Sequence, residues 1–214
     1  SDCKISVTDN ATNTSDNLTV NTFTVDVTNP TLSYVTGGRV PTPDNDSTPY
    51  YTFNSSEAGD ITYTGDCGSS SPSAAPSGQY TVTLTQPDNS TPLSDRTYSN
   101  CTIKVTDNAS NASNGHTVQG HTQRGTNINS FTVGATKPAL DYVINVPTPS
   151  NDNESDYTFY STLSGTITYS GDCDSDNDTL ALADNNTVTF NALNDGTYSN
   201  CTITVTDSAG NASS

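Results

Sequence analysis

The stretch TYSNCTIKVTDNASNAS, residues 97–113, decides the fold, because close copies of it recur along the chain. It returns as TYSNCTITVTDSAGNASS at 197–214, and SDCKISVTDNATNTS at 1–15 is a third copy. The cysteines that mark the copies, Cys3, Cys101 and Cys201, are 98 and then 100 residues apart. A long segment that recurs at a domain-sized interval indicates tandem repeats.

Each copy predicts one β-strand followed by a turn. Cys101, Ile103 and Val105 alternate with polar residues, and this period of two is typical of a half-buried strand. The alternation stops at Asp-Asn-Ala in two copies and at Asp-Ser-Ala-Gly-Asn in the third, and these residues favour turns. The segments between the copies also match in order: LSYV with LDYV, VPTPDND with VPTPSND, and YTFNS with YTFYS.

This pattern predicts an all-β fold made of tandem immunoglobulin-like (Ig-like) β-sandwich repeats. About seven short strands occupy each ~100 residues, with turn signals between them and no helical period. We expect residues 1–29 to be the final strands of a preceding repeat, 30–133 a complete repeat, and 134–214 a second repeat that lacks its last strand. This order of partial and complete repeats is expected of a segment from a longer array of repeats.

The composition restricts the partners that the protein can have. The 214 residues include 23 acidic and only 6 basic side chains, for a net charge of −17. A surface of this charge is a poor partner for nucleic acid, whose binding depends on basic residues, and for anionic membranes, whereas divalent cations suit it. No run approaches the ~20 apolar residues of a membrane helix, so no membrane insertion is expected.

Five cysteines with a fixed placement indicate an oxidising compartment. Cys67 and Cys173 end the matching strands ITYTGDC and ITYSGDC. We therefore expect the disulfides Cys67–Cys101 and Cys173–Cys201, each closing a loop of about 30 residues worth roughly 3 kcal/mol in the chain-entropy model. Cys3 is expected to be unpaired within this chain. Its disulfide partner would lie in a preceding repeat. Alternatively, Cys3 is a free thiol or bonds to another molecule.

Three segments resemble a known family. TYSNCTITVTDSAGN, preceded by Leu-Asn-Asp-Gly at 193–196, resembles the ADGTYTVTVTDAAGN segment of bacterial Ig-like repeats in large surface proteins and adhesins. NDSTPYYTF (45–53) and FTVDVTNPTL (23–32) resemble the NDTTPTYTF and FTVDTTAPTL segments of the same repeats. The resemblance covers essentially the whole chain. It implies a structural or adhesive rod of stacked sandwiches at the cell surface, whose partners are neighbouring repeats or subunits of the same protein. The cysteine pair is a departure, because many such repeats have none and antibody domains bridge strands B and F.

The sequence gives little support for catalysis, and we expect that the protein is not an enzyme. The only histidines, His116 and His121, lie in an inserted polar segment, GHTVQGHTQRGTN at 115–127, which is expected to be a flexible solvated loop. Zinc binding by these histidines is a weaker alternative. A carbohydrate- or receptor-binding module is the alternative function, but the chain has no tryptophan from which to build an aromatic patch.

Calcium is the predicted metal, because carboxylate, amide and backbone carbonyl oxygens suit it. Loops at the bottom of each sandwich gather several acidic residues, and Asp107 and Asp207 lie in turns at the top, beside the incoming linker. We expect Asp107 near Asp26, and Asp207 near Gly134, so that bound calcium would make the junctions between repeats rigid. The alternative is that these acids form Asx turns and provide solubility. The predicted ligands are Asp26, Asp44, Asp46, Asp95, Asp107, Asp152, Glu154, Asp156, Asp195 and Asp207.

Two further hypotheses concern partners. Asn-x-Ser/Thr sequons are plentiful, and those in the turns at Asn108 and Asn211 are the better placed for glycans. A repeat without its last strand also has an open sheet edge, which invites pairing. The leading segment of one subunit could complete the last repeat of another by strand addition, whereas in an intact array the missing strand simply follows in sequence.

Overall fold

The computed structural model describes residues 3–214, so that residues 1 and 2 of the predicted leading segment lie outside the described residues. All the regular elements of that part of the chain are β-strands, which confirms the all-β class. A leading hairpin contains β1 (Lys4–Ile5) and β2 (Leu18–Thr19). The first unit, residues 32–133, contains β3 (Leu32–Tyr34), β4 (Val40–Thr42), β5 (Tyr50–Ser55), β6 (Gly59–Thr64), β7 (Gly68–Ser69), β8 (Ala74–Ala75), β9 (Gly78–Thr85), β10 (Arg96–Tyr98), β11 (Thr102–Thr106), β12 (His116–Thr117), β13 (Gly120–Thr122), β14 (Asn127–Ile128) and β15 (Phe131–Val133). The second unit, residues 140–206, contains β16 (Leu140–Ile144), β17 (Asp156–Ser161), β18 (Gly165–Ser170), β19 (Leu180–Ala181), β20 (Asn185–Thr189) and β21 (Thr202–Thr206).

Two four-stranded sheets form most of the first unit. The strand order is β3-β5-β9-β7 in one sheet and β12-β11-β6-β8 in the other. Two smaller pairings join β10 to β15 and place β4 parallel to β13. The polar sequence GSSSPSAAPSG at 68–78 predicts a loop, because Ser, Gly and Pro favour turns. The segment contains the short strands β7 and β8, which pair with β9 and β6 respectively.

Period-two patterning explains how these sheets bury one face. In β11, Ile103 and Val105 are fully buried while Lys104 between them is exposed. In β5, Tyr51 and Phe53 point into the same core from the other sheet. Burying an aliphatic or aromatic side chain of this kind contributes roughly 1.5–3 kcal/mol, so the alternation is sufficient to select the inward face.

The second unit repeats the pattern with fewer strands and a separate core. Its sheets have the orders β16-β17-β20 and β19-β18-β21. Phe159, Ile167, Val188 and Val205 are at the centre of its core. In the first unit β11 pairs with β6 on one side and β12 on the other. Within residues 3–214 the equivalent strand β21 pairs with β18 on one side, and on the other it makes a single bridge from Thr206 to Ala212.

The leading hairpin has the register of the matching strands in the first unit but not their burial. Ile5 pairs with Leu18 in the same way that Ile103 pairs with His116. Ile5 and Leu18 are 51% and 66% exposed, whereas Ile103 is 0% exposed. The hairpin therefore carries the strand pattern of a sandwich and leaves its apolar side chains uncovered.

Both predicted disulfides are present. Cys67 bonds to Cys101 with the Cα atoms 5.5 Å apart, and Cys173 bonds to Cys201 with the Cα atoms 5.2 Å apart. Each bond joins the turn after one strand to the residue before its antiparallel neighbour: Cys67 lies three residues after β6 and Cys101 directly precedes β11, and Cys173 and Cys201 have the same places beside β18 and β21. Cys3 is exposed and has no disulfide partner in the described part of the chain. Two disulfides indicate an oxidising environment.

The inserted segment 115–127 differs from the flexible loop expected from its polar sequence. It contains β12 and most of the β13–β14 hairpin, and His116 is only 6% exposed. The Nε2 atom of His116 lies 2.9 Å from the Tyr51 hydroxyl, and its ring centroid is 4.3 Å from that of Tyr34. Burial, assisted by the positive charge of Arg39, lowers the pKa of His116 to about 4. His121 is exposed, as expected.

Tyr98 anchors the chain just before β11. Its hydroxyl accepts the Ser94 N–H at 2.9 Å and donates to the Ser94 carbonyl at 3.1 Å. The ring is 1% exposed and is stacked on Phe131 with centroids 5.1 Å apart. Tyr198 makes the matching hydrogen bond to the Asn194 carbonyl at 2.7 Å, but it is 36% exposed.

Candidate functional site: the turns and linkers at the junctions

The turn that follows β11 is built around one aspartate and one asparagine. Oδ1 of Asp107 accepts the N–H groups of Ala109 and Asn111, each at 2.8 Å, and Oδ2 accepts the Asn111 side-chain amide at 2.9 Å. These hydrogen bonds, with that of the Asn111 amide the largest contribution, lower the pKa of Asp107. The carboxylate therefore accepts the hydrogen bonds of an Asx turn, as the alternative to calcium binding predicts.

The same turn occurs three times. Asp9 with Asn13, and Asp207 with Asn211, make the same set of side-chain hydrogen bonds at 2.9 Å. The residue before each asparagine has a positive φ: 70° at Thr12, 71° at Ser110 and 89° at Gly210. Only Gly210 is free of the steric cost that this conformation imposes on a side chain.

The asparagine of the turn also holds the incoming linker. Asn111 Nδ2 donates to the backbone carbonyl of Asp26 at 3.1 Å, and Asn211 Nδ2 donates to that of Gly134 at 2.6 Å. The sequence predicted that Asp107 would lie near Asp26 and Asp207 near Gly134, and both turns are close to those linkers. The asparagine amides that make the contacts were not predicted.

Glu57 joins the first junction from the turn between β5 and β6. One carboxylate oxygen from each of Asp26, Glu57 and Asp107 lies within 4.8 Å of the others. Burial raises the pKa of Glu57, and the charges of Asp26 and Asp107 raise it further. Three carboxylates at this separation could hold a divalent cation such as calcium. This is the only such group of three within residues 3–214.

The second junction has the same backbone contacts without that acidic group. Gly134 takes the place of Asp26, and Leu163 takes the place of Glu57. Here Asp95 accepts the N–H groups of Ala135 and Thr136 at 2.9 and 3.0 Å, together with the Thr136 hydroxyl. The Thr136 hydroxyl and these N–H groups lower the pKa of Asp95. Asp95 was predicted as a calcium ligand, and its carboxylate accepts hydrogen bonds from the linker.

The remaining predicted ligands are distributed among local turns and strand ends. Asp44 accepts the Asp46 N–H at 3.1 Å, and Asp46 accepts the Thr48 N–H at 2.8 Å. Asp152 accepts the Glu154 N–H at 3.0 Å, and Asp156 accepts the Thr189 hydroxyl at 2.7 Å. Within the described residues, neither these acids nor Asp195 and Asp207 belong to a second group of three.

Comparisons with known proteins do not assign the chain to a family. No family model matches it, and no curated protein matches it significantly. In the part of the chain that the structure describes, no helix is long and apolar enough to span a membrane. The proposed function therefore rests on the geometry of the junctions.

Proposed function

We propose that the chain is a structural or adhesive module of an extracellular surface protein, in which stacked Ig-like sandwiches form a segment of a rod or fibre. The observation that carries the proposal is the contact between turn and linker at both junctions. Asn111 and Asn211 hold equivalent linkers in the same way, so successive units meet in a repeating geometry. A repeating geometry between neighbours is what a solenoid-like rod requires.

The strand orders support the Ig-like assignment. The order β3-β5-β9-β7 corresponds to strands A, B, E and D, and the order β6-β11-β12 to strands C, F and G. Tyr98, which hydrogen-bonds to the backbone four residues upstream, has the position and contacts of the tyrosine corner of that fold. The resemblance of the three sequence segments to bacterial Ig-like repeats agrees with this order.

The composition and the disulfides of the chain favour a location outside the cell. Two disulfides per 214 residues suit an oxidising compartment, and the charge of −17 keeps an extended molecule soluble. Neighbouring repeats or subunits of the same protein are the proposed partners. Calcium binding at the junctions stays a prediction, with the group at Asp26, Glu57 and Asp107 as its best-placed site.

The contact between turn and linker is tested by removing the asparagine amides. In the variant Asn111→Ala/Asn211→Ala, both linkers lose the contact, and small-angle scattering should show a broader distribution of intramolecular distances than in the wild type. Asn13→Ala is the matched control, because Asn13 makes the same turn contacts. Identical scattering from the double variant and the wild type would contradict the rod proposal.

A further inference from the structure

The chain makes a β-bulge between the turn after β11 and the start of β12. Ser113 is fixed to Val105: its N–H donates to the Val105 carbonyl at 2.9 Å, and its hydroxyl oxygen accepts the Val105 N–H at 3.0 Å. Further along, His116 pairs with Ile103. The chain therefore uses two residues, 114 and 115, to pass the single residue of β11 that lies between these pairs, and such an extra residue is a β-bulge.

The two residues of the bulge are Asn114 and Gly115, and both are exposed. Within residues 3–214, neither the Asn114 side chain nor the Gly115 N–H has a hydrogen-bond partner. Asn111 in the preceding turn differs, because its amide donates to the Asp107 carboxylate at 2.9 Å and to the linker at 3.1 Å. The Asn114 amide can therefore rotate towards the backbone nitrogen that follows it, whereas the Asn111 amide is held in place.

The leading hairpin contains the same bulge with other residues. Ser15 makes the same two hydrogen bonds to Val7, at 2.9 and 3.0 Å, and the pairing resumes at β2. Asp16 and Asn17 occupy the two bulge positions there. The bulge is therefore compatible with an aspartate at its first position and with a side chain at its second.

We propose that Asn114 is a site of self-catalysed deamidation in the folded protein, with the backbone nitrogen of Gly115 as the nucleophile. Both reacting groups belong to adjacent residues, so the reaction is intramolecular and needs no enzyme to bring them together. Glycine has no side chain to hinder the approach of its nitrogen, and its backbone is the most adaptable. The product at the first bulge position is the residue type that Asp16 already supplies in the leading hairpin.

The reaction has two steps. The Gly115 nitrogen attacks Cγ of Asn114 and forms a carbon–nitrogen bond, while the side-chain nitrogen leaves as ammonia with the proton that the Gly115 nitrogen gives up. Water then opens the five-membered imide at either carbonyl and gives aspartate or isoaspartate. Neither step is an oxidation or a reduction, and water is the only co-reactant.

The new charge lies where the linker enters the first unit. Asn114 borders a cavity of about 150 Å³ together with Pro30 and Leu32. Deamidation changes the net charge from −17 to −18, and the isoaspartate product also adds one methylene to the backbone of the bulge. The inference goes beyond the proposed function and does not depend on it: the charge beside the first junction increases with the age of the molecule.

Mass spectrometry of the full wild-type chain tests the proposal. The folded protein is incubated at neutral and at mildly alkaline pH and is then digested with trypsin under mildly acidic conditions. One tryptic peptide, residues 105–124, contains three asparagines, namely Asn108, Asn111 and Asn114. Aspartate and isoaspartate should accumulate at position 114 at least about ten times faster than at the other two, and faster at alkaline pH, where hydroxide removes the Gly115 proton. Position 114 that stays asparagine while a synthetic peptide of the same residues converts overturns the proposal, and so do equal rates at all three positions.

Two variants separate the mechanism from damage to the fold. In Gly115→Ala the added Cβ would meet only Lys104 Cε at 3.9 Å and Thr102 Cβ at 4.0 Å, so the variant should fold like the wild type. Its conversion of Asn114 should be at least about tenfold slower, and a rate equal to that of the wild type would exclude the Gly115 nitrogen as the nucleophile. Asn114→Asp should melt at the temperature of the wild type, because Asp16 occupies the same bulge position. A loss of folded structure in this variant would contradict the inference that the bulge accepts the product.

Discussion

The buried histidine should make the stability of the first unit depend on pH. The pKa of His116 is about 4 in the folded protein, below the ordinary value of 6.5, because burial disfavours the charged ring. The unfolded chain therefore binds the proton first as the pH falls. Stability contributed by the neutral histidine is present above about pH 6.5 and is lost progressively as the pH falls from 6.5 towards 4.

The magnitude follows from these two pKa values. Between pH 7 and pH 5 the free energy of unfolding should fall by about 2 kcal/mol through His116 alone. For a unit of this size the change corresponds to roughly 10 °C in the melting temperature. His116→Leu places at this position the residue type that Leu18 supplies in the leading hairpin, and it removes the titrating group.

Calorimetry of the wild type and His116→Leu at pH 7 and pH 5 measures this effect. Asp44 and Glu57, whose pKa values are raised, contribute with the opposite sign in both proteins, and they cancel in the difference. The second unit contains no histidine and provides an internal baseline. At pH 7 the variant should be destabilised by about 1 kcal/mol, since the Tyr51 hydroxyl loses its closest partner. Equal pH dependence in the two proteins would refute the reasoning.

Two further predictions concern the tyrosine anchors and calcium. Tyr98→Phe should destabilise the first unit by about 1–2 kcal/mol, because it removes the two hydrogen bonds that the hydroxyl of this buried side chain makes to the Ser94 backbone. Tyr198→Phe should cost less than about 0.5 kcal/mol, and urea unfolding followed by circular dichroism compares the two variants. Adding calcium should raise the melting temperature of the wild type but not that of Glu57→Gln, because the variant lacks one carboxylate of the first junction. An equal rise in the melting temperature of both proteins would exclude Glu57 as a ligand.

Repetition made the strands and disulfides predictable. Because the copies around Cys101 and Cys201 recur at a fixed distance, each alternating segment could be checked against its counterpart. Cys67 and Cys173 follow strands of matching pattern, so the pairing of those strands with β11 and β21 brings each near its partner cysteine. The short strands β7 and β8 were missed because two-residue strands carry too little alternation to distinguish them from a loop.

The burial of His116 could not be predicted from its own surroundings in the sequence. The residues beside it are polar, and its hydrogen-bond partner Tyr51 is 65 residues away. The sheet that a short strand joins determines which of its faces is buried, and the local sequence does not specify that face.

At the junctions, the sequence predicted which turns lie beside the linkers but not which side chains contact them. Carboxylates were expected there as calcium ligands, and the turn aspartates do lie beside the linkers. The contacts themselves are made by Asn111 and Asn211, whose signal was the spacing of four residues from aspartate to asparagine in all three copies. Glu57 was missed because it comes from a different hairpin, and only the fold brings it to Asp107.

The placement of the disulfides determines how the chain would lengthen under tension. Cys67 and Cys101 are separated by 34 residues, and pulling on the two ends of the chain cannot extend the loop between them while the bond is intact. A forced unfolding of the first unit would therefore release about 115 Å less chain than the same unit would release after reduction. A chain of such units would lengthen in shorter steps under tension and would keep its ends closer together than a chain with reduced cysteines.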